Sequence, residues 1–468
     1  MKKNLLALAA AVSCSFSQAA EKPNIVFIFT DDYSYECQGH LGMEAIQTPN
    51  LDRLAKDGTQ FTNSYNMGAW AGAVCVASRT MINSGAFVNR AQKTIVEQPQ
   101  WAELIRDGGY KTYMTGKWHV KKEPAFDVVK DVRGGMPKGS GYNRPVSRED
   151  FENGWQPWDI GEGGFWKGGT HWTEVVGDNS VEFINQAAEE EKPFFMYLSF
   201  NAPHDPRQSP KEYVDMYPVD DMKVPVNYLP EYPYRKEIGL PDNFRDERLA
   251  PYPRTDFAVQ VHRREYFASI TYLDYHMGRI LDALEEHDMM DNTYIIFTAD
   301  HGLSVGHHGL LGKQNMYEHS MRVPFIVKGP GVEKGKSIDT PIYLQDAMPT
   351  TLEWAGVEIP KHVEFKSVNA LIAGEATEHY PAIYGKYINF QRMIRKGDWK
   401  LMMYPKASKK LRLFNLVKDP NEMNDLADNP EYTSKIEELK TDFKALQDVM
   451  GDELDLDNPT APRAKNKK

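Results

Sequence analysis

Cysteine is scarce: the 468 residues hold only 3, at positions 14, 37 and 75. That excludes a small scaffold stapled by several disulfides. Long hydrophobic runs are missing too. Beyond the N-terminal leader no stretch approaches the roughly eighteen consecutive apolar residues of a membrane-spanning helix. Positive charge is in deficit, with 55 Lys and Arg against 66 Asp and Glu, a formal net charge of −11. An acidic chain argues against nucleic acid as a partner. It does not exclude an anionic substrate, because steering depends on the charge local to a cleft. No internal repeat is visible. What remains is ordinary globular composition, 41% hydrophobic and 26% charged, long enough for one large domain and a smaller one.

Residues 1–19 read as an export signal. Lys2 and Lys3 form a charged n-region, residues 5–12 (LLALAAAV) a short apolar core, and Ser17-Gln18-Ala19 a small-residue cleavage site. Ala11-Val12-Ser13-Cys14 is an imperfect lipobox without its leucine, so lipid anchoring through Cys14 is the lesser alternative. The expected location is periplasmic or secreted. Losing Lys2 and Lys3 takes the formal charge from −11 to −13. If Cys14 leaves with the signal, Cys37 and Cys75 remain, and in an oxidising compartment they could form a disulfide.

Several short apolar runs share one feature: each ends in polar residues of catalytic type. Residues 24–30 (NIVFIFT) run into Asp31-Asp32, and 194–200 (FFMYLSF) into Asn201-Ala202-Pro203-His204. Residues 294–298 (YIIFT) run into Ala299-Asp300-His301-Gly302, and a weaker candidate, 110–115, into Gly116-Lys117-Trp118-His119. Continuous apolar runs bounded by turn signals fit strands buried on both faces. Helices alternate with them. Thr48-Pro49 places a cap and an N1 proline before residues 50–57, which Gly58 closes. A longer helix is predicted over 262–287, with Phe267, Ile270, Leu273, Met277, Ile280 and Leu284 on one stripe. The expected fold is α/β: a large mixed, mostly parallel sheet sandwiched by helices. Ligands in such sheets bind beyond the carboxyl ends of the strands, so four polar clusters at four strand ends point at one site.

Two stretches break this pattern. Residues 121–173 are rich in glycine and tryptophan, and 217–254 carry seven prolines. Long loops of this kind are read as walls of a substrate pocket, with inert surface decoration as the alternative. After residue 376 the texture changes: 393–404 (MIRKGDWKLMMY) and 411–416 (LRLFNL) read as antiparallel strands, and 431–450 as a helix. The expected organisation is a main α/β domain over 22–375, a smaller C-terminal α+β unit over 376–455 built on an antiparallel sheet, and a polar tail over 456–468.

Paired acids after a strand are common in turns, and Asp31-Asp32 or Asp300-His301 alone would say little. Together they supply three carboxylates and an imidazole on one sheet edge, which would repel without a cation. Oxygen-rich ligation suits a hard ion such as calcium or magnesium more than zinc. The basic groups Arg79, Lys117, His119, His204 and Lys313 lie after strands or beside Gly and Pro turns. Singly, each reads as a surface charge or a satisfied histidine. As a set beside a metal they could hold a tetrahedral oxyanion, and sulfate and phosphate esters both fit. The histidines could protonate a leaving alcohol.

The segment Val74-Cys75-Val76-Ala77-Ser78-Arg79-Thr80 narrows this. It resembles the maturation motif Cys/Ser-x-Pro/Ala-x-Arg of the formylglycine-dependent sulfatases of the alkaline phosphatase superfamily. The resemblance spans nearly the whole mature chain. It takes in Asp31-Asp32, Thr48-Pro49-Asn50-Leu51-Asp52, Gly116-Lys117-Trp118-His119, Ala202-Pro203-His204, Asp300-His301-Gly302, Gly397-Asp398-Trp399-Lys400-Leu401 and residues 413–426 (LFNLVKDPNEMNDL). It implies that Cys75 is oxidised to formylglycine (3-oxoalanine) by a maturation enzyme and hydrated to a geminal diol. Asp31, Asp32, Asp300, His301 and the modified residue 75 are then the calcium ligands. One diol oxygen attacks sulfur while Asp300 helps remove its proton. Arg79 and Lys117 hold residue 75 and the sulfate, Lys313 contacts the ester side, His204 is the acid for the leaving alcohol, and His119 assists the release of sulfate.

Two positions depart from the commonest family pattern. Ala77 stands where many members have proline, and the resemblance implies that alanine is read more readily by the radical-based bacterial maturation enzymes than by the oxygen-dependent one. His301 stands where many have asparagine, and either can ligate. The look is of bacterial polysaccharide sulfatases, so the expected substrate is a sulfated carbohydrate. A carrageenan-type galactan is the first expectation and a glycosaminoglycan sulfate the next. Trp155, Trp158, Trp166, Trp172, Tyr228, Tyr232 and Tyr234 in the two long loops are expected to stack on sugar rings. The rival enzyme is a phosphate or phosphonate ester hydrolase of the same superfamily; the rival non-enzyme is a glycan-binding homologue that has lost catalysis.

Overall fold

The computed structural model describes residues 22–43, 45–135 and 146–459; the expected signal, Cys14 and the end of the polar tail lie outside them. The run NIVFIFTD forms a strand, Asn24–Asp31, buried along all but its first residue. It pairs in parallel with Phe194–Pro203 on one side and Thr293–Ala299 on the other. A strand covered on both faces needs apolar residues at every position, which is why this segment does not alternate. Lys111–Lys117 and Val128–Arg133 extend the sheet beyond Phe194–Pro203, both in parallel. On the other side, Phe325–Lys328 pairs antiparallel with Thr293–Ala299, and Thr59–Phe61 and Lys336–Ile338 complete an 8-stranded sheet. Only Phe325–Lys328 runs against the rest. The mixed, mostly parallel sheet is as the sequence predicts.

The strand Val128–Arg133 falls in a stretch expected to be loop. Its burial alternates at an exposed sheet edge, so it carries no continuous apolar run. The long helix is Asp256–Glu286, capped by the Thr255 side chain accepting from the Ala258 amide. It begins at Asp256, ahead of the predicted 262, because its N-cap Thr255 lies before the stripe that starts at Phe267. The helix Pro49–Asp57 starts and ends as predicted, but the Thr48 side chain does not cap it. Asp274 of the long helix does that work, accepting from the Asn50 and Leu51 amides at 3.0 and 2.7 Å. Thr48 instead accepts from the Gly39 amide at 2.8 Å.

The C-terminal strands Ile383–Tyr387, Gln391–Lys396, Trp399–Met403 and Leu411–Asn415 form an antiparallel meander, and the helix Thr433–Met450 follows. The 5-stranded sheet is completed by Gly68–Ala69, which comes from the N-terminal half and pairs in parallel with Ile383–Tyr387. Gly68 has φ +84°, and a Cβ there would lie 1.9 Å from the Lys386 carbonyl oxygen, so only glycine permits this close approach. Among the described residues no helix is long and apolar enough to cross a membrane. Cys37 and Cys75 are both free and buried, not a disulfide.

Candidate active site

The four strands that end in polar clusters are parallel neighbours, so their carboxyl ends share one sheet edge. Asp31 closes its strand, and Asp32 follows with φ +67°. Asp300 and His301 follow Thr293–Ala299, and His204 follows Phe194–Pro203. Lys117 ends Lys111–Lys117 just after a register shift between Thr115 and Lys117. Gly116 sits in that shift with φ +89°, and a Cβ there would meet the Ser199 carbonyl oxygen at 1.8 Å. The irregularity re-aims the strand end, and Lys117 reaches an ion pair with Asp31.

Cys75 and Arg79 come from a helix, Val74–Ser84, nearly all of it buried. Cys75 lies in its first turn, where backbone amides are unpaired within the helix. Arg79, four residues on, shares its face. Its Nε donates to Asp300 Oδ2 at 2.9 Å, and its Nη1 donates to the Lys117 carbonyl at 2.9 Å and Ser199 Oγ at 2.6 Å. One guanidinium therefore ties the helix to three strands of the sheet. Lys313 Nζ donates to Asp32 Oδ1 and Oδ2 at 2.7 and 2.5 Å and lies 3.5 Å from Cys75 Sγ. His301 Nδ1 is 3.1 Å from Asp32 Oδ1, and His204 Nε2 is 3.5 Å from Asp32 Oδ2.

Burial alone would raise every carboxylate here and lower every histidine. For Asp31 and Asp300 the surrounding cations outweigh burial: Lys117, His204 and Arg79 pull Asp31 below its ordinary value, and His301, Arg79 and Lys117 pull Asp300 further. At Asp32 burial wins over Lys313 and His301, and its carboxyl is pushed well up. Burial and Asp31 push the Cys75 thiol up, but Lys117 and Lys313 bring it below the usual thiol range. His301 is raised to about 9 against burial by Asp300 and Asp32. His119 falls to about 3 and His204 falls strongly, both from burial and neighbouring lysines.

Above this floor opens a cleft of about 610 Å³, lined by Cys75, Lys117, His119, His204, Asp205, Arg245, Asp246 and Arg248, with Ala73, Gly135 and Leu249 as its other lining. All ten sequence-predicted residues are thus gathered at one place: Asp31, Asp32, Cys75, Arg79, Lys117, His119, His204, Asp300, His301 and Lys313.

The Sulfatase family profile matches residues 23–357, and the profile for the C-terminal part of N-sulphoglucosamine sulphohydrolase matches 306–449. The chain belongs to the sulfatase family. It is a sulfuric ester hydrolase. An N-acetylglucosamine-6-O-sulfatase of Bacteroides thetaiotaomicron is 27% identical, over 94% of this chain and 90% of that protein. An arylsulfatase of Clostridium perfringens is 29% identical, over 90% and 93%. A solved structure of a protein in complex with its substrate D-glucosamine-2-N,6-O-disulfate superposes with a TM-score of 0.72 at 24% identity, covering 93% of this chain and 99% of that one; that likeness is one of fold.

The sulfatase's carboxylate cluster fits a hard cation. Ligand atoms of Asp31, Cys75, Asp300 and His301 lie within 4.8 Å of one another, as do those of Asp31, Asp32, Cys75 and His204. Asp31 Oδ1 is buried with no hydrogen-bond partner, an orphaned oxygen that a cation would satisfy. Between them the two groups offer three carboxylates, two imidazoles and the side chain of residue 75, and the carboxylate oxygens suit a hard divalent cation.

One expectation needs correction. Four of the seven loop aromatics are not free to stack on a sugar. Trp155, Trp166, Trp172 and Tyr232 are buried at 7, 8, 7 and 2% exposure, and none of the seven lines the cleft. Trp166 Nε1 donates to the Pro157 carbonyl and Trp172 Nε1 to that of Lys167. Long loops need a small core of their own, and these rings supply it. Conversely, Arg245, Asp246 and Arg248 line the cleft though no motif marks them. The charge run RDER in the proline-rich loop was their signal, but nothing local says which way it faces.

Proposed function

We propose that this sulfatase is an exported, calcium-dependent enzyme that removes sulfate from carbohydrates. Its nucleophile is residue 75, oxidised from cysteine to formylglycine by a bacterial maturation enzyme. The observation that carries the reading is the seating of Cys75 between the carboxylate cluster and Lys117 and Lys313. Arg79, in the same helix, locks that helix to Asp300. Calcium held by Asp31, Asp32, Asp300 and His301 would polarise the sulfate and favour the ionised oxygen of residue 75. Lys117 and Lys313 flank the thiol position, where charge develops on sulfate oxygens, and a water-poor site strengthens their effect. A leader of export type at residues 1–19 supports the location. The carbohydrate substrate is supported by the N-acetylglucosamine-6-O-sulfatase relative. Carrageenan-type galactans and glucosamine-type glycosaminoglycan sulfates are the two classes to compare.

The test is the mass of the peptide around Cys75 in protein from its native host, paired with sulfate release from an aryl sulfate and both glycan classes. An aldehyde in place of the thiol, with sulfate released, is expected. An unmodified thiol with no release would put the glycan-binding homologue in its place.

The Asp205 carbonyl accepts from His204 Nδ1 at 3.1 Å, so Nε2 is the atom that takes up the second proton, and it serves the leaving alcohol as an acid in the imidazolium form, which an anionic ester bound beside it favours. His204→Ala should cost about 10²–10³-fold in kcat on sugar sulfates, the usual range for losing a general acid. On a nitrophenyl sulfate, whose leaving group needs no proton, the loss should stay below about tenfold. Equal losses on both would remove His204 from that role.

Chelation should abolish turnover, and calcium alone should restore it. A second readout is thermal: calcium at about a hundred times its dissociation constant should stabilise the fold by about 2.7 kcal/mol. An unfolding midpoint that ignores calcium would remove the ion from this site.

A further inference from the structure

The cleft carries two separate sets of cations, and the second is unexplained by sulfate-ester cleavage. Arg79, Lys117 and Lys313 are fully buried and each is paired with a carboxylate of the floor. Arg245 and Arg248 stand on the wall, on a segment held firmly from behind. Glu247 is buried and accepts from Arg254 Nη2 at 2.7 Å and the Gly312 amide at 2.9 Å. Asp246, also buried, accepts from Gln314 Nε2 at 2.7 Å. Leu249 is buried as well. With these three turned inward, Arg245 and Arg248 are the exposed residues of the segment and both line the cleft.

Their charge is not used up locally. Arg245 Nε shares Asp246 with Gln314 while 41% of its side chain stays exposed. Glu247 is committed to Arg254, and Asp205, the other carboxylate of the lining, to Arg207 at 3.0 Å. Arg248 is left outside any ion pair among the described residues. In a chain of net charge −11 this wall is locally cationic. Ala73 and Leu249 are the only aliphatic side chains of the lining and no Trp, Tyr or Phe ring belongs to it, so recognition here works by charge and not by ring stacking. Arg245 and Arg248 line the same cleft of about 610 Å³ as Cys75, Lys117 and His204. An anion on this wall and a sulfate at residue 75 would therefore fit on one small ligand.

We propose that Arg245 and Arg248 form a second anion subsite, which selects sugars bearing another anionic group beside the scissile sulfate ester. Guanidinium forks suit a second sulfate and a uronate carboxylate alike. The inference rests on the carbohydrate reading above and narrows it to polyanionic substrates.

The test uses full-length, calcium-loaded protein with residue 75 matured, and the variant carrying Arg245→Gln and Arg248→Gln. Galactose 6-sulfate is compared with galactose 2,6-disulfate, and with a 6-sulfated galactose linked to glucuronic acid. The quantity read is the ratio of kcat/KM for each dianionic sugar to that for the monosulfate. The wild-type ratio should exceed one and rise as salt is lowered. It should fall at least about tenfold in the variant, the order expected for losing a charge-assisted hydrogen bond. A fall in the disulfate arm alone assigns the subsite to sulfate, and in the uronate arm alone to carboxylate. A wild-type ratio at or below one in both arms, or an unchanged ratio in the variant, overturns the subsite. If wild type cleaves an aryl sulfate but none of these sugars, the carbohydrate reading is what fails. The sugars then serve as competitors of aryl sulfate hydrolysis, and the ratio of their inhibition constants decides the subsite in the same way.

Discussion

Cys75→Ala should lose at least about 10⁴-fold in sulfate release, the scale seen when a covalent nucleophile is deleted, and still fold. The substitution removes one sulfur from a side chain only 1% exposed and keeps its Cβ. Lys117 and Lys313, its cationic neighbours, stay paired with Asp31 and Asp32, so no buried charge is orphaned. Stability should therefore change by no more than about 1 kcal/mol, small beside the losses caused by stranded charges. Sulfate release near wild type would end the assignment of residue 75. A companion substitution separates chemistry from maturation. Serine also satisfies the Cys/Ser-x-Pro/Ala-x-Arg motif, and its oxidation gives the same aldehyde. Cys75→Ser should keep activity in a host whose maturation enzyme reads serine, and lose it in a host with none.

The strand ends were legible because a strand buried on both faces writes itself as an unbroken apolar run, and NIVFIFT, FFMYLSF and YIIFT each stop at a polar cluster. Once those strands are parallel neighbours, the cluster at their ends follows from topology. Cys75 and Arg79 were legible through their motif, but not the helix that carries them. Its sequence, VCVASRTMINS, is buried on all sides and shows no amphipathic stripe. The edge strand Val128–Arg133 was missed for the opposite reason, since half of it faces water. The cap from Asp274 depends on a residue more than two hundred positions away from the helix it caps. The loop aromatics misled because composition does not say whether a ring faces a ligand or its own loop. Arg245 and Arg248 became visible only when Asp246, Glu247 and Leu249 were seen to point inward, which is a fact of tertiary packing.

Arg79→Met should be the most destabilising single change in the site. Methionine roughly fills the space but leaves Asp300, fully buried, without its nearest charge partner at 2.9 Å, with His301 farther off at 3.7 Å. The Lys117 carbonyl and Ser199 Oγ lose their donor at the same time. Breaking a buried pair from one side costs about 3–5 kcal/mol, to be read by chemical denaturation of the calcium-free protein. Calcium should recover part of this, because a divalent ion beside Asp300 compensates the same carboxylate. The stability gap between variant and wild type should therefore narrow when calcium is added. A gap that ignores calcium would mean Asp300 is not a ligand. Arg79→Lys should not restore wild-type behaviour: one ammonium cannot reach Asp300, Lys117 and Ser199 from the fork positions that Arg79 uses. Activity should be lost in both variants, but by two separable routes. Arg79 is the last position of the maturation motif as well as a buried strut, so the peptide mass at residue 75 must be measured alongside. An unmodified thiol would place the loss in maturation. An aldehyde with no turnover would place it in the site itself, with the helix Val74–Ser84 no longer held against the strand ends that carry Asp300 and Lys117.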